Sequence, residues 1–121
     1  MEFDEATLRA LCARLNQSEV FRRSATKTGS FLLLLGERAV FLKISPGRCE
    51  EARLAREGEN ADFVIEAGEE ALRKLARREL DVTAAFMKGE LRLKKGSLFG
   101  LLPYAKAAKA IVDDLSLVFF S

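Results

Sequence analysis

The sequence contains no histidine and no tryptophan, and its 121 residues include only two cysteines, two prolines and one tyrosine. Without histidine, the chain cannot build a Ser-His-Asp or Cys-His catalytic site, a histidine-ligated zinc site or a switch that titrates near neutral pH. Its glycines form neither a GxGxxG nor a P-loop pattern, so the usual phosphate cradle of nucleotide-binding proteins is missing. In the acidic pairs at 50–51, 69–70 and 113–114, the two neighbouring side chains point in different directions on either a helix or a strand. None of these pairs is therefore a ready site for two-carboxylate catalysis. We therefore expect no enzymatic activity, no cofactor and no metal.

Charge is nearly balanced and mixed in sign along the chain. The sequence has 20 Lys and Arg residues against 18 Asp and Glu residues, a formal net charge of +2. The densest basic run, at 73–78, is bracketed by glutamates at 69, 70 and 79 and is typical of a solvated helix face. Nucleic-acid binding needs a one-sided basic surface, so we expect no nucleic-acid partner.

Length and cysteine usage indicate one ordinary domain covering residues 1–121. A chain of about 120 residues buries enough apolar surface to fold without disulfides or metals. Cys12 shares an apolar helical stripe with the leucines at 8, 11 and 15, which predicts a small buried hydrophobic side chain. Cys49 falls at a predicted hairpin and could be exposed, and neither cysteine suggests an oxidising compartment.

The chain shows no targeting or membrane-spanning pattern. Its N-terminal residues are acidic and lack the basic-then-apolar form of a signal peptide. The longest uncharged run, at 96–105, is half of the roughly 20 residues that span a bilayer. We therefore expect a cytoplasmic location.

The order of predicted elements favours the α+β class. Pro46 and Gly47 fit the centre of a type II turn between two strands, and the apolar run at 31–35 predicts a strand buried on both faces. Consecutive hairpins with unsegregated helices indicate an antiparallel-rich sheet with helices laid over it. In chain order we predict helices over 4–15 and 18–25, strands over 30–35, 39–44, 48–54 and 62–67, helices over 69–78 and 82–88, a strand over 90–94, and a last helix over 96–115.

Apolar side chains are concentrated toward the C-terminus and allow two interpretations. Small side chains that face a sheet permit either close packing or a void. Tyr104 either places its hydroxyl group at the rim of a pocket or is a half-buried structural residue. Phe99 lies toward the flank of the helix. The predicted buried stripe of the last helix consists of Leu98, Leu101, Leu102, Ala105, Ala108, Val112 and Leu115.

Several segments between residues 61 and 115 resemble the sterol carrier protein type-2 family, the nonspecific lipid-transfer domains. The most specific is Ala-Phe-Met-Lys-Gly-Glu-Leu-Arg-Leu-Lys-Lys-Gly at 85–96, which is similar to the family signature A-(F/M)-M-x-G-K-L-x-(I/L)-x-G. Others are Ala-Asp-Phe-Val-Ile at 61–65, Glu-Leu-Asp at 79–81, and Tyr104 with the alanines at 107 and 108. Glu90 stands where the family usually has lysine. The absence of a C-terminal peroxisomal signal makes the chain similar to prokaryotic members.

This resemblance implies a five-stranded, mainly antiparallel sheet covered by helices, with a hydrophobic tunnel between the two layers. It implies a ligand with an acyl chain or a sterol-like body: a fatty acid, an acyl-CoA, a phospholipid or a sterol. The resemblance assigns the tunnel lining to Phe86, Met87, Leu91, Leu93, Leu98, Leu101, Leu102 and Ala105.

Two functional hypotheses follow. In the first, the protein is a non-enzymatic lipid carrier in which the last helix gates a tunnel, with transient contact to a membrane surface. In the second, the same fold is closed and serves as a protein-interaction or substrate-presenting module. Its sheet edge or its tail, Leu117–Phe120, would then dock a partner or a second copy. The sequence leaves the oligomeric state open, with a dimer as one option.

Overall fold

The computed structural model describes the backbone of residues 4–120 and the side chains of residues 4–114. Its helices are α1 (Glu5–Gln17), α2 (Glu19–Ser24), α3 (Glu69–Ala76), α4 (Val82–Met87), α5 (Leu98–Leu101) and α6 (Ala105–Phe120), with a 3₁₀ turn at Leu102–Tyr104. Its strands are β1 (Gly29–Leu35), β2 (Arg38–Ser45), β3 (Arg48–Leu54), β4 (Phe63–Ala67) and β5 (Leu91–Lys95).

Most helices begin at a residue whose side chain caps the first turn. A carboxylate or hydroxyl oxygen at that position accepts a hydrogen bond from a backbone N–H that has no partner inside the helix. Ser18 opens the helix predicted over 18–25, and Asp81 stands directly before the helix predicted over 82–88. The capping residues of this kind are Asp4, Ser18, Asp81 and Ser97.

The five strands form one sheet in the order β3-β2-β1-β4-β5. The pairs β1–β2, β2–β3 and β4–β5 are antiparallel, whereas β1 and β4 are parallel. The expected five-stranded, mainly antiparallel sheet with helices is therefore confirmed. The parallel pair arises because the chain leaves the edge strand β3 and crosses to the other side of β1 before β4.

The two faces of the sheet differ in composition. On the helix-facing side Phe31 and Leu42 are buried in the main core. The predicted burial of β1 on both faces is wrong, because Leu32 and Leu34 point to the opposite side and remain half-exposed. Charged side chains on the neighbouring strands, such as the exposed Arg92 of β5, keep that outer face in contact with water.

An arginine covers the one aromatic ring of the described outer face. The Arg53 guanidinium lies 4.4 Å from the centroid of the Phe41 ring, which is buried although it points away from the helices. Glu59 fixes this guanidinium through two hydrogen bonds, which Arg53 Nη1 and Nη2 donate at 2.7 and 3.2 Å. These hydrogen bonds, with a further one from the Arg56 backbone N–H, lower the pKa of Glu59 to about 2.

The last helical segment differs from the single helix predicted from the sequence. Pro103 lies in the 3₁₀ turn that separates α5 from α6, and this tighter turn changes the phase of the side chains that follow. Tyr104, Ala107 and Ala110 are buried. The predicted stripe is partly right: Leu101, Ala108 and Val112 are half-buried, whereas Leu98, Leu102 and Ala105 face solvent. The side chains of Leu115 and of the tail Leu117–Phe120 lie outside the described residues.

The two cysteines are joined, which corrects the expectation of an unpaired Cys12 and an exposed Cys49. A disulfide links Cys12 of α1 to Cys49 of β3, and both residues are buried. Asn16 reinforces the link: its Oδ1 accepts from the Cys49 backbone N–H at 2.7 Å and its Nδ2 donates to the Cys49 carbonyl at 3.0 Å. The edge strand β3 is thereby tied to the first helix. Disulfides of this kind occur in oxidising compartments and in intracellular proteins of hyperthermophiles.

Reduction of this disulfide should destabilise the fold measurably. The bond joins residues separated by 37 positions in the sequence. By restricting the unfolded chain, a loop of this length contributes about 3–4 kcal/mol to the free energy of unfolding. We expect a reductant to lower the thermal midpoint by roughly 10 °C, as followed by circular dichroism. The Cys12→Ala/Cys49→Ala variant is the control, since its midpoint should not respond to reductant. Equal midpoints of the wild type with and without reductant would contradict the prediction.

Glu59 should make the stability fall in acid. Its pKa in the folded protein is about 2 against a usual 4.5, so the stabilisation is complete above pH 4.5 and is lost as the pH falls toward 2. Urea titrations across this range should show a shallower pH dependence for Glu59→Gln than for the wild type. The exposed neighbour Glu57, replaced by Gln, serves as the control and should keep the wild-type slope. The same slope in all three proteins would refute the assignment.

Candidate functional site

Three aromatic rings join the sheet to the last helical segment. Phe31 of β1 and Phe63 of β4 stack with centroids 5.3 Å apart. Tyr104 meets both rings edge-on, at centroid distances of 5.0 Å from Phe31 and 5.7 Å from Phe63. Stacked and edge-to-face pairs are favoured arrangements of aromatic rings and add to the energy of burial.

The hydroxyl of Tyr104 is used structurally and does not line a pocket rim. It donates a hydrogen bond of 2.7 Å to the carbonyl of Thr28, directly before β1. Burial, and secondly the negative charge of Asp62, raise the pKa of Tyr104. The side chain therefore stays protonated and anchors the segment between α5 and α6 to the first strand.

Two glycines allow this close approach. A Cβ at Gly29 would collide with the Tyr104 hydroxyl oxygen, and a Cβ at Gly96 would lie 2.5 Å from Cδ1 of Phe63. Gly96 also has a φ of +96°, which side chains disfavour. The sheet and the last helical segment meet at a distance that only glycine permits.

Beside the aromatic rings, a row of apolar side chains faces the helices without being fully covered. The strand register aligns Leu33 of β1 with Ile65 of β4, and Ile65 with Leu93 of β5. All three point to the same face of the sheet as the buried residues Phe31 and Phe63, yet each remains partly exposed. Part of each side chain in this row is therefore accessible to water, although all three pack against the core.

The row lies where two parts of the core meet. One cluster of buried residues contains Phe31, Phe63 and Tyr104, and a second contains Ala85 and Leu91. Three partly buried side chains pack against both clusters: Leu35, Ile65 and Leu72. We call the partly exposed apolar residues at this junction the apolar seam; they are Leu33, Leu35, Ile65, Leu72, Leu93 and Leu101.

The eight tunnel residues assigned from the sequence divide into two groups. Four point inward and are buried or half-buried: Phe86, Leu91, Leu93 and Leu101. Four are exposed: Met87, Leu98, Leu102 and Ala105. Their contact with a ligand remains a prediction. Leu33 and Ile65, which the sequence interpretation did not select, lie on predicted strands, and the two-residue alternation that pairs Ile65 with Phe63 was the signal that could have found them.

A surface depression on another part of the molecule is lined by several charged side chains. It has a volume of about 640 Å³ and is formed by the β1–β2 turn, the start of α3 and the start of β5. Glu37, Glu66, Glu70 and Arg92 contribute charged groups to it. Such walls do not suit a hydrocarbon chain, because burying their charges costs free energy.

The described part of the chain contains neither a metal-binding cluster nor a membrane-spanning helix. Among its side chains there is no group of three or more Cys, Asp or Glu residues able to hold a metal ion. None of the described helices combines the length and apolar character needed to cross a bilayer.

Comparison with known proteins identifies the class of this α+β domain. Residues 7–102 match the SCP-2 sterol transfer family, and the chain belongs to that family. Proteins of this family generally bind or transfer lipids and are generally not enzymes. No curated protein matches the chain significantly.

Solved structures agree with this assignment. A crystal structure of sterol carrier protein 2 is 34% identical to this chain with a TM-score of 0.86, covering 96% of this chain and 98% of its own. The solution structure of a conserved hypothetical protein from Thermus thermophilus, described as possibly a sterol carrier protein, is 35% identical with a TM-score of 0.86, covering 98% of this chain and 90% of its own. Palmitated SCP2L2 from Aedes aegypti shares the fold at 16% identity and a TM-score of 0.59, covering 87% of this chain and 90% of its own.

Replacing Gly29 by alanine should loosen the aromatic contact. The new methyl group collides with the Tyr104 hydroxyl, so we expect a loss of roughly 1–3 kcal/mol, as for other overpacked cores. Gly68→Ala is the matched control, because a Cβ there meets nothing within 4 Å. Urea unfolding of both variants checks the prediction, and an equal effect of the two substitutions would contradict it.

Proposed function

We propose that this protein reversibly binds the acyl chain of a lipid along the apolar seam. The lipid is then transferred without being changed chemically. The observation that carries the proposal is the row Leu33–Ile65–Leu93, which faces the helices and yet keeps contact with water. Family membership supports a lipid ligand in general. The palmitate carried by SCP2L2 supports an acyl chain in a protein of the same fold.

Burial of hydrocarbon supplies the binding energy in this proposal. Each methylene group removed from water contributes about 0.8 kcal/mol, so a chain of about ten carbons binds without any specific polar contact. The half-exposed leucines of the seam become covered at the same time. Because this energy depends on buried area and not on direction, selectivity among fatty acids, acyl-CoAs and phospholipids is expected to be loose.

The assigned tunnel residues take two positions in this proposal. Phe86, Leu91, Leu93 and Leu101 already point inward, so they would line the chain-binding space together with Leu33 and Ile65. Leu98, Leu102 and Ala105 lie on the outward side of α5, of the 3₁₀ turn and of the start of α6, so they would flank the mouth. Met87, exposed at the end of α4, would lie outside the chain-binding space. Movement of this last helical segment, pivoting at Gly96, would open the seam to admit the ligand.

A tryptophan at position 65 should block the ligand. Ile65→Trp fills the seam, whereas Val64→Trp, one residue away, adds the same bulk on the opposite face of β4 and is the matched control. We expect palmitate affinity, measured by displacement of a fluorescent fatty acid, to fall at least about tenfold in the first variant, because buried area is lost. The control should bind as the wild type does. Leu33→Phe repeats the test if Ile65→Trp does not fold.

Two outcomes would contradict the lipid-binding proposal. One is wild-type protein that neither shifts its melting temperature nor retains any lipid in native mass spectrometry. The other is equal binding by the Ile65→Trp and Val64→Trp variants. Either result would favour a closed interaction module with a dry core.

A further inference from the structure

Three large apolar side chains are exposed together on the last helical segment. Leu98 is 58% exposed, Phe99 85% and Leu102 65%. Only two other large apolar residues among the described side chains are so exposed, Val20 and Met87, and they lie on other helices. Single exposed apolar residues are common, but a cluster within five positions marks an interaction surface.

These side chains are exposed because a glycine occupies the inner side of α5. Gly100 faces the Phe63 ring so closely that a Cβ would lie 3.1 Å from Cε1. The Ser97 hydroxyl accepts a hydrogen bond of 3.0 Å from the Gly100 backbone N–H and fixes the start of the helix. The inward position is therefore occupied, and the apolar side chains are presented in a defined arrangement.

Lysines continue the same outward face. Phe99 and Leu102 lie three residues apart before the 3₁₀ turn, Lys106 and Lys109 lie three residues apart in α6, and all four are exposed. Tyr104 and Ala107 form the opposite, buried side. Both lysines are exposed, and neither forms an ion pair with a described carboxylate.

Positive charge is concentrated in this part of the chain. Residues 91–112 contain five Lys and Arg residues and no Asp or Glu, which leaves 15 cations and 18 carboxylates, a formal charge of −3, for the rest of the protein. Two of the five cations make other contacts: Arg92 lies on the outer face of the sheet and pairs with Glu66 at 3.9 Å, and Lys95 donates hydrogen bonds to Asn60 and to the Ala61 carbonyl. The cations of the outward helical face are therefore Lys106 and Lys109, in a stretch of sequence that contains no carboxylate.

We propose that the outward face formed by Leu98, Phe99, Leu102, Lys106 and Lys109 docks the protein onto an anionic lipid bilayer. The apolar side chains enter the boundary between head groups and acyl chains, and the lysines reach the lipid phosphates. Leu101 of the apolar seam lies in the same helical turn on the inner side. If the seam binds lipid as proposed above, a docked protein exchanges that lipid with the bilayer directly. Only this exchange of lipid rests on the proposed function.

Charge favours a bilayer over a second copy of the chain as the occupant of this face. In a two-fold symmetric dimer the same face meets itself, which gathers Lys106 and Lys109 of both copies in one interface that contains no carboxylate of this face. Like charges in such an interface oppose association. An anionic membrane surface attracts these lysines and accepts the apolar side chains.

Vesicle binding by the full chain tests the proposal. Vesicles of phosphatidylcholine alone, and of phosphatidylcholine with an equal amount of phosphatidylglycerol, are sedimented with wild-type protein and with Phe99→Ala, Lys106→Glu/Lys109→Glu and Val20→Ala. We expect wild-type binding to the anionic vesicles, weakened roughly tenfold by loss of the Phe99 ring. Charge reversal should remove the preference for phosphatidylglycerol, since each lysine near such a surface contributes about fivefold. Val20→Ala, which removes an exposed apolar side chain from α2, is the matched control and should bind as the wild type does.

Three results would overturn the proposal. They are no binding of the wild type to anionic vesicles, equal loss in the Phe99→Ala and Val20→Ala variants, and a dimer that Phe99→Ala dissociates while no protein binds vesicles. Light scattering measures the oligomeric state, and thermal melts confirm that the variants are folded. Fatty-acid affinity of the Lys106→Glu/Lys109→Glu variant is measured in parallel. Unchanged affinity with lost vesicle binding separates the docking face from the ligand site.

Discussion

The contact between Tyr104 and the start of β1 determines how the last helical segment lies on the sheet. Its hydroxyl reaches the Thr28 carbonyl, and its ring fills the corner made by Phe31 and Phe63. A buried hydroxyl without its acceptor would cost about 1–3 kcal/mol, so the hydrogen bond favours a single position and rotation of the helix. That rotation in turn decides which side chains face the seam and which face solvent.

Local chemistry explains why much of the fold could be predicted from the sequence. Ser18 and Asp81 satisfy backbone N–H groups within their own helices, and the turn at Pro46 and Gly47 needs only its own two residues. The alternation in β4 likewise identifies Phe63 as inward-facing from neighbouring residues alone. Each of these features depends on contacts within a few positions along the chain, and the structure confirms each of them.

Features that depend on distant parts of the chain could not be predicted in this way. Cys12 and Cys49 meet only because α1 packs on the edge strand β3, and no spacing rule relates residues 37 positions apart. Leu98 and Leu102 face solvent although their spacing fits a buried stripe, because Gly100 occupies the inner side of α5 against the Phe63 ring. For the candidate site, the family resemblance predicts the layer between sheet and helix, and the strand register adds Leu33 and Ile65 to the residues of that layer.

A single helical segment therefore has two apolar sides that face different surroundings. Its inner side, with Leu101 and Tyr104, packs closely on the sheet, because the glycines at this contact leave no space for a Cβ atom. Its outer side has no such partner among the described residues, although exposing Phe99 to water is unfavourable. Such exposure is difficult to explain by folding alone, since a polar side chain there would keep the inner contacts intact. The absence of histidine fits the same view, because neither hydrocarbon burial nor attraction between lysine and phosphate needs a group that titrates near neutral pH.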